Sequence, residues 1–417
     1  MAGSKYVILG GGMAAGYAAK ELAERGLKSG ELCIVSSDDA LPYERPPLSK
    51  GFLAGKENEA GILINKPEWY AERGIEVRLR TVAESIDAAG KRLRTNSGET
   101  FAFEELLIAT GARARKLDCP GGELANIFYL RSMDDSRAIR EAASTAKQAV
   151  VIGGGFIGME VASVLAQQKI ETTMVIQEDR VWSRVFTPEM SAFFERYYAA
   201  RGVRIRKQQR VAEIRGKERV AAVVLGGGEP LGCDMVVAGI GVVPVTDLAG
   251  RAGLAVENGI VVDEFLATSH PGISAAGDVA NYTDTIFGKR RRVEHWDNAV
   301  SQGQHWSARV TGDRKPFAHV PYFFSDVFDL SYELWGDASG ATQVVTRGDM
   351  HSPSFSVWWL KREQVVSAFV MSRPEEEREA AQEWIRSGQS VSAERLQDQK
   401  RPVNDAASSA HARGSRP

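Results

Sequence analysis

A glycine-rich turn between an apolar strand and a helical pattern occurs twice in this chain. The first copy, Gly10-Gly11-Gly12-Met13-Ala14-Ala15-Gly16, follows Tyr6-Val7-Ile8-Leu9, and the second, Gly153-Gly154-Gly155-Phe156-Ile157-Gly158, follows Ala149-Val150-Val151-Ile152. The glycines of such a turn allow a tight bend, close approach of the backbone to a pyrophosphate, and close packing of helix on strand. The pyrophosphate then lies at the positive N-terminus of the helix. Two copies predict two dinucleotide sites, and a bound flavin with an exchanging nicotinamide is the natural pair.

Each copy supplies candidate cofactor-binding residues. These are Gly10, Gly12, Met13, Ala14 and Ala15 in the first copy and Gly153, Gly155, Phe156, Ile157 and Gly158 in the second. An acidic residue about 20 positions further on binds ribose hydroxyls in such sites. Asp38 and Asp39 stand at this place in the first copy, and Glu178 stands there in the second. A carboxylate at Glu178 favours NADH over NADPH because it repels the 2′-phosphate, although Arg180 and Arg184 lie close by and soften that preference.

Bulk properties limit the class of protein. A length of 417 residues fits about three domains, and 25% charged with 43% hydrophobic residues is typical of soluble globular proteins. The net charge of −2 gives no indication of nucleic-acid binding. No apolar run is long enough to span a bilayer, and the chain enters a strand too early for a signal peptide, so a cytoplasmic location is expected.

The cysteines argue against one redox chemistry. Cys33, Cys119 and Cys233 are few and scattered, and none lies near the first glycine turn or the loop Tyr43–Lys50. Flavin disulfide reductases need a reactive cysteine pair beside the flavin. Cys33 lies within a predicted strand and is expected to be a small core residue. Electrons are therefore expected to leave the flavin directly, without a redox-active disulfide.

The order of the patterns predicts an α/β protein with two Rossmann-like dinucleotide-binding domains, the second inserted in the first, and a small α+β C-terminal domain. The predicted boundaries are 1–113 for the first part of the FAD domain, 114–243 for the NAD(P)H domain, 244–315 for the second part of the FAD domain, 316–394 for the C-terminal domain and 395–417 for a disordered tail. Strands ending at Thr110-Gly111, Gly241 and Gly277-Asp278 return the chain to the nucleotides. Lys361–Gln364 predicts a hairpin between two β-rich runs. Pro374 precedes a predicted helix at about 375–386.

The loop Pro42-Tyr43-Glu44-Arg45-Pro46-Pro47-Leu48-Ser49-Lys50 resembles a flavin-contacting loop. It is similar to that of the FAD-dependent pyridine nucleotide oxidoreductases, in the branch with monodehydroascorbate reductase, bacterial ferredoxin and rubredoxin reductases and apoptosis-inducing-factor-like flavoproteins. The resemblance covers nearly all of residues 5–390. It implies cofactor contacts at Asp38, Arg45, Lys50, Val82, Thr110, Gly111, Arg131, Glu160, Gly241, Asp278, Glu294, His295, Trp296 and Phe324, beside the glycine turns, Glu178 and Arg184.

Two of these residues are expected to act in catalysis. Lys50 and Glu160 would form an ion pair near the flavin N5 atom that orients the ring and the nicotinamide; the alternative is that both are ordinary surface charges. A helix beginning near Asp297-Asn298 would direct its positive end at the flavin. For Trp296 and Phe324 core packing is the alternative, and a backbone or core role for His295 is favoured over acid–base catalysis.

The resemblance implies an FAD-dependent NADH oxidoreductase like monodehydroascorbate reductase. In that family arginines are thought to hold the ascorbate radical, but Val300 and Asp326 stand at those places, and the segments Phe324-Ser325-Asp326 and Glu294–Gly303 are more similar to ferredoxin reductases. The alternatives are therefore a ferredoxin or rubredoxin reductase and a flavin-switched interaction protein. The expected partners are a small-molecule acceptor or a ferredoxin- or rubredoxin-type carrier, and a homodimer is compatible. The basic run Lys289–Arg292 is expected to be a solvated loop or a docking surface for an acidic carrier.

Overall fold

The computed structural model describes residues 2–407. The chain divides into two compact units. The nucleotide-binding unit comprises residues up to 179 together with 199–318, and the C-terminal unit comprises residues 180–198 together with those from 319 on. Among the described residues, no helix is long and apolar enough to cross a membrane.

The first nucleotide-binding region contains seven strands and three helices. In chain order they are β1 (Ala2–Leu9), α1 (Met13–Glu24), β2 (Leu32–Val35), α2 (Glu59–Ile62), α3 (Pro67–Glu72), β3 (Glu76–Arg78), β4 (Ala83–Asp87), β5 (Arg92–Thr95), β6 (Thr100–Ile108) and β7 (Ala112–Ala114). A 3₁₀ helix, Pro46–Ser49, lies in the loop after β2.

The second region and the return of the chain follow. The elements are β8 (Ile127–Phe128), α4 (Met133–Ala143), β9 (Gln148–Ile152), α5 (Phe156–Gln167), β10 (Glu171–Val175), α6 (Pro188–Ala199), β11 (Arg204–Arg206), β12 (Val211–Gly216), β13 (Val220–Leu225), β14 (Pro230–Gly232), β15 (Met235–Ala238), β16 (Val242–Pro244), α7 (Asp247–Arg251), β17 (Ile260–Val261), β18 (Ile273–Ala275), β19 (Ala280–Asp284), β20 (Lys289–Arg291) and α8 (Trp296–Val310).

Two parallel sheets organise the nucleotide-binding unit. In the first, the strands β3, β2, β1, β6 and β18 are adjacent and parallel, with β5 and β4 added antiparallel at β6. The second has the parallel order β11-β10-β9-β15-β8. Such strands are buried on both faces, which is why they read as continuous apolar runs. The antiparallel pair of β7 and β16 marks where the chain leaves the first sheet and comes back, so the second domain is inserted in the first, as predicted.

The C-terminal unit is built on one antiparallel sheet. Its elements are α6 with β21 (Tyr322–Val327), β22 (Leu330–Gly336), β23 (Gln343–Asp349), β24 (Ser354–Lys361), β25 (Gln364–Met371), α9 (Glu375–Ser387) and α10 (Ala393–Gln397), and the sheet order is β21-β22-β25-β24-β23. The β24–β25 hairpin and α9 match the predicted elements. The core of this unit includes aromatic rings of the segment 180–198 packed on the sheet, such as Phe194 against Phe369.

The prediction of a disordered tail from residue 395 is wrong for the described part of the chain. Helix α10 and a 3₁₀ helix, Val403–Ala406, follow α9. Leu396, Val403 and Ala406 are buried. Apolar side chains at these three places give the segment enough burial to order it, although its composition is polar overall. Residues 408–417 lie outside the described residues.

Candidate functional site

The first glycine turn is built for a close backbone approach. Gly10 has φ +127°, and a Cβ atom there would lie 2.2 Å from the carbonyl oxygen of Ala109. Gly12 is the N-cap of α1, and within the described residues no side chain caps this end and no acidic residue occupies its first turn. The N–H groups of the first turn, at the buried Met13, Ala14 and Ala15, are thus left for a ligand, and an anion such as a pyrophosphate is what they bind.

The second glycine turn repeats this construction. Gly153 has φ +112°, and a Cβ atom on it would lie 2.3 Å from the carbonyl oxygen of Gly239. Gly158 packs against the carbonyl oxygen of Gly153, so a side chain there would clash. Gly155 is the N-cap of α5, again with no side-chain cap in the described part of the chain. Ile157, in the first turn of α5, has 40% of its surface exposed, which is unusual for isoleucine and suits a ligand-covered position.

Charged residues from three distant parts of the chain meet near the first turn. Arg45 lies 3.6 Å from the position of a Cβ atom on Gly12 and donates a hydrogen bond to the carbonyl oxygen of Arg131. Arg131 forms an ion pair of 2.7 Å with Asp278 and approaches Gly111. Burial, together with the nearby charge of Arg131, lowers the pKa of the Arg45 guanidinium. Two neighbouring cations at an uncapped helix N-terminus fit the diphosphate of FAD.

Asp38 lies beyond the end of β2, as predicted for a ribose-binding carboxylate. Its Oδ2 atom accepts a hydrogen bond of 3.0 Å from the hydroxyl of Tyr43. That hydroxyl also accepts a hydrogen bond from the backbone N–H of Met133, at the start of α4. Tyr43 is buried, so it fixes the carboxylate from the protein side. The role of Asp38 toward the FAD ribose remains a prediction.

Lys50 and Glu160 form the predicted ion pair. The Nζ atom of Lys50 donates to Oε1 of Glu160 at 2.7 Å, and Ser49 donates to the other carboxylate oxygen. Glu160 is 3% exposed and the Lys50 side chain 16% exposed, which excludes the alternative that both are ordinary surface charges. Because Lys50 belongs to the loop of the first domain and Glu160 to α5 of the second, the pair joins the two cofactor-binding halves.

Other predicted contacts lie at the ends of strands. Thr110 donates to the carbonyl oxygen of Val245, Gly111 has φ +63° and Gly241 has φ +94°. Val82 has 48% of its surface exposed, the same pattern as Ile157. Their contacts with a cofactor remain predictions.

Helix α8 begins at Trp296, one residue before the predicted start. His295 is its N-cap residue, and no side chain in the described residues caps this end. Glu294 accepts a hydrogen bond from Arg292. Asp278, in the 3₁₀ helix Gly277–Val279, lies on the segment that packs against α8. The proximity of these residues to a flavin ring remains a prediction.

Three further residues, Glu178, Arg184 and Phe324, were predicted to contact a cofactor. Glu178 follows β10 with an exposed side chain. Arg184 and Phe324 belong to the C-terminal unit, where Phe324 stacks on Tyr322. Their contacts with cofactors remain predictions.

The basic run Lys289–Arg292 is not a solvated loop. Residues 289–291 form β20, which pairs with β19. Arg291 forms an ion pair with Asp284 at 3.1 Å, and Arg292 pairs with Glu294. Because these two cations are already neutralised, the run is also a weaker docking surface than its sequence indicates.

Two functional candidates were not assigned a role from the sequence. Ser49 binds the Glu160 carboxylate, and Tyr43 binds Asp38. Both lie in the loop that carries the family resemblance, immediately before Lys50 and close to Arg45. Their position in this loop could have indicated a functional role. The sequence did not indicate their partner atoms, which lie in other segments of the chain.

The cysteines are free thiols with suppressed reactivity. Burial raises the pKa of the Cys33 thiol and of the Cys233 thiol to about 12. Burial also raises the pKa of the Cys119 thiol. Cys33 lies in β2 within the core, as predicted. Thiols held protonated are poor nucleophiles, so none of the three is suited to disulfide exchange.

Comparison with known proteins agrees with this geometry. The model of the family described as pyridine nucleotide-disulphide oxidoreductase matches residues 4–303, and the model described as reductase C-terminal matches residues 322–407. The chain is 39% identical to the peroxisomal monodehydroascorbate reductase 4 of Arabidopsis thaliana over 397 residues, which is 90% of this chain and 80% of that protein.

Two solved structures are similar over nearly the whole chain. The ferredoxin reductase for the CYP199A2 system from Rhodopseudomonas palustris gives a TM-score of 0.92 at 34% identity and covers 97% of this chain and 100% of that one. Putidaredoxin reductase in its covalent complex with putidaredoxin gives a TM-score of 0.92 at 31% identity and covers 96% of this chain and 97% of that one.

These similarities confirm the predicted fold class, the oxidoreductase activity and the cofactors FAD and NADH. They also agree with the uncapped glycine turns and the cations beside them, which fit two dinucleotides. The chain therefore belongs to the pyridine nucleotide-disulphide oxidoreductase family, as an FAD-dependent enzyme that takes electrons from NADH.

Proposed function

We propose that the chain is the NADH-dependent reductase of a ferredoxin-type iron–sulfur protein. The buried pair of Lys50 and Glu160 supports electron transfer from NADH to FAD, because it joins the loop after the first glycine turn to the helix after the second. Bound FAD would supply the redox chemistry, in which the two electrons of a hydride from NADH pass one at a time to two molecules of the iron–sulfur protein. The protein therefore needs to supply position and charge rather than a nucleophile.

Each residue of this cluster has a definite task in the proposal. Glu160 holds the Lys50 ammonium at a fixed place, and Ser49 fixes the second carboxylate oxygen of Glu160. With both oxygens bound, the carboxylate cannot rotate, so the charge of Lys50 is held in one orientation relative to both glycine turns. The first turn of α1, with Arg45 and Arg131, would hold the FAD diphosphate, and the first turn of α5 would hold that of NADH.

Two observations favour an iron–sulfur protein as the acceptor. The similarity to the two bacterial reductases extends over more than nine-tenths of each chain. Val300, at a place where an arginine is expected in monodehydroascorbate reductases, is 8% exposed and packs in the core between α1 and α8. An apolar core residue cannot bind an anion, which favours a protein acceptor over the ascorbate radical.

Monodehydroascorbate radical is the second candidate acceptor. The identity of 39% to the Arabidopsis enzyme favours it. Asp326 weighs against it, because its exposed carboxylate stands at the other arginine position and would repel an anion.

Steady-state kinetics of the holoenzyme with NADH tests the proposal. The acceptors are a [2Fe–2S] ferredoxin and monodehydroascorbate radical, generated from ascorbate by ascorbate oxidase. We expect the higher kcat/KM with the ferredoxin. A higher kcat/KM with the radical, raised further by Asp326→Arg, would replace the first proposal by the second.

A further inference from the structure

Glu44 faces away from its neighbours in the loop Pro42–Lys50. Tyr43 and Arg45, on either side of it, contact Asp38 and Arg131 in the first cofactor-binding cluster. Glu44 instead contacts the two helices α1 and α8. Alternation of this kind is expected where the chain is extended, since successive side chains then point to opposite sides.

Both carboxylate oxygens of Glu44 are occupied. The hydroxyl of Tyr17, on α1, donates to Oε1 at 2.7 Å, and the indole Nε1 of Trp296 donates to Oε2 at 2.6 Å. Hydrogen bonds from neutral donors to a carboxylate are stronger than those between two neutral groups. Burial, and then the contact with Glu44, raises the pKa of the Tyr17 hydroxyl far above its usual range, so it remains a donor.

Two close backbone approaches bring these side chains together. A Cβ atom on Gly16 would lie 2.6 Å from the Ile64 side chain and 2.9 Å from that of Pro42, so a larger residue here would force both to shift away from α1. A Cβ atom on Gly303 would lie 2.3 Å from the carbonyl oxygen of Ala14, so α8 likewise touches α1. The loop, α1 and α8 therefore meet at one point, and Glu44 is the polar connection among them.

We propose that Glu44 is a positioning residue that fixes the Trp296 indole at the flavin end of the cofactor site. The inference rests on the proposed function and on the predicted position of the flavin ring at the start of α8, where Trp296 is the first helical residue. An indole with one fixed N–H···O bond has one orientation, whereas an unanchored indole can rotate. A fixed aromatic wall keeps the flavin ring in one position relative to its acceptor, and loss of that position slows electron release.

The charge and length of Glu44 are both needed for this role. A glutamine has no charge, so its amide N–H₂ can donate to the Tyr17 hydroxyl, which also accepts, and its one oxygen is only a neutral acceptor for the indole. An aspartate keeps the charge but is too short to reach both α1 and α8. Either change should weaken the bond that orients the indole while leaving Arg45, Lys50 and the glycine turn in place.

The test compares Glu44→Gln, Trp296→Phe and their double variant with a matched control, Glu21→Gln. Glu21 is also a half-buried glutamate, placed on α1, and its partner is the surface residue Arg25. The readouts are the fluorescence of bound FAD, which a neighbouring indole quenches by electron transfer to the excited ring, the rate of flavin reduction by NADH, and the rate of electron delivery to ferredoxin.

We expect Glu44→Gln to raise FAD emission and to slow electron delivery about tenfold, equivalent to ~1.4 kcal/mol of barrier. Added to Trp296→Phe, it should change neither quantity further, because its effect acts through the indole. FAD emission and the rate of flavin reduction by NADH are measured without ferredoxin, so they test this inference even if the proposed acceptor is wrong.

A Glu44→Gln variant that matches Glu21→Gln in emission and rates overturns the inference. Full additivity in the double variant also overturns it, since Glu44 would then act independently of Trp296. If Glu44→Gln does not retain FAD, Glu44→Asp replaces it with the same expected outcome, and an unchanged emission there likewise overturns the inference.

Discussion

The buried contact between Lys50 and Glu160 is the residue-level feature on which we expect hydride transfer to depend. Glu160→Gln removes the negative charge and leaves the Lys50 ammonium facing a neutral amide at a buried position. Misplacement of a positioning group by about 1 Å costs about 100-fold in rate, and we expect a slowing of that order in flavin reduction by NADH. Stopped-flow absorbance of the flavin measures it.

Glu171→Gln is the matched control for this prediction. Glu171 lies in the same domain, on β10, and forms an exposed ion pair with Arg204. We expect no change in its rate of flavin reduction, since exposed pairs contribute little. Equal rates for Glu160→Gln and Glu171→Gln would mean that the buried pair has a structural role only.

At the scale of elements, the contact between α1 and α8 depends on one glycine. In Gly303→Ala the new methyl group would lie 2.3 Å from the carbonyl oxygen of Ala14, which is backbone and cannot move aside without shifting α1. We expect a loss of about 1–3 kcal/mol in the free energy of unfolding, with weaker FAD retention because α1 carries the first glycine turn. Chemical denaturation and the ratio of flavin to protein absorbance after gel filtration measure the two effects.

Gly227→Ala is the control at this scale. A Cβ atom at Gly227 would meet no heavy atom within 4 Å. Its stability should stay within ~0.5 kcal/mol of that of the unchanged protein. Equal stability of the two alanine variants would show that α1 and α8 can separate without cost.

Some elements were predictable from sequence because their signals are local. The two glycine turns, the β24–β25 hairpin and α9 all have turn residues or capping positions at fixed spacing. The ordered segment after residue 395 was missed because its backbone carbonyl groups bind Arg347, about 50 positions earlier. The pairing of Arg291 with Asp284 is local, and it was missed because the sequence analysis treated the basic run as a loop and not as the second strand of a hairpin. Composition describes a segment by itself, whereas the contacts of Arg347 join segments that only the fold brings together.

Contacts in the candidate site between distant parts of the chain were equally hard to predict from the sequence. Lys50 and Glu160 are 110 positions apart, and the family resemblance, rather than any pattern of spacing, brought them together in advance. No such aid indicated Ser49 or the bond from Trp296 to Glu44. Each is a contact between groups far apart in the chain, and no spacing of residues in the sequence indicates such a contact.

At the scale of the whole molecule, the last described segment stabilises the C-terminal unit. Arg347 is 3% exposed and donates to the carbonyl oxygens of Leu396, Asp398 and Arg401, besides its ion pair with Glu377. Truncation after Ser392 removes those carbonyl groups and leaves a buried guanidinium underbonded. We expect the unit to lose about 3–5 kcal/mol of stability, measured by pulse proteolysis in urea.

Truncation after Ala407 is the control, because it keeps every contact of Arg347 named above. Its proteolysis profile should match that of the full chain. If truncation after Ser392 gives the same profile too, the segment contributes nothing measurable, and Arg347 is satisfied by Glu377 alone.

We predict that no cysteine takes part in electron transfer. This prediction concerns the whole molecule, because the three cysteines are distributed over both nucleotide-binding regions. With a pKa of about 12, Cys33 and Cys233 have roughly one thiolate per ten thousand molecules at pH 8, and burial shifts the pKa of Cys119 in the same direction. Only the thiolate reacts with iodoacetamide, so treatment of the NADH-reduced holoenzyme at pH 8 should leave turnover unchanged. Raising the pH should speed alkylation, because it increases the thiolate fraction.

An enzyme that cycles through a disulfide would behave oppositely: NADH would expose a reactive thiol pair, and alkylation at pH 8 would stop turnover. Inactivation that requires prior reduction by NADH, with mass spectrometry locating the label on one of these cysteines, would therefore place a thiol between the flavin and the acceptor and contradict direct electron release.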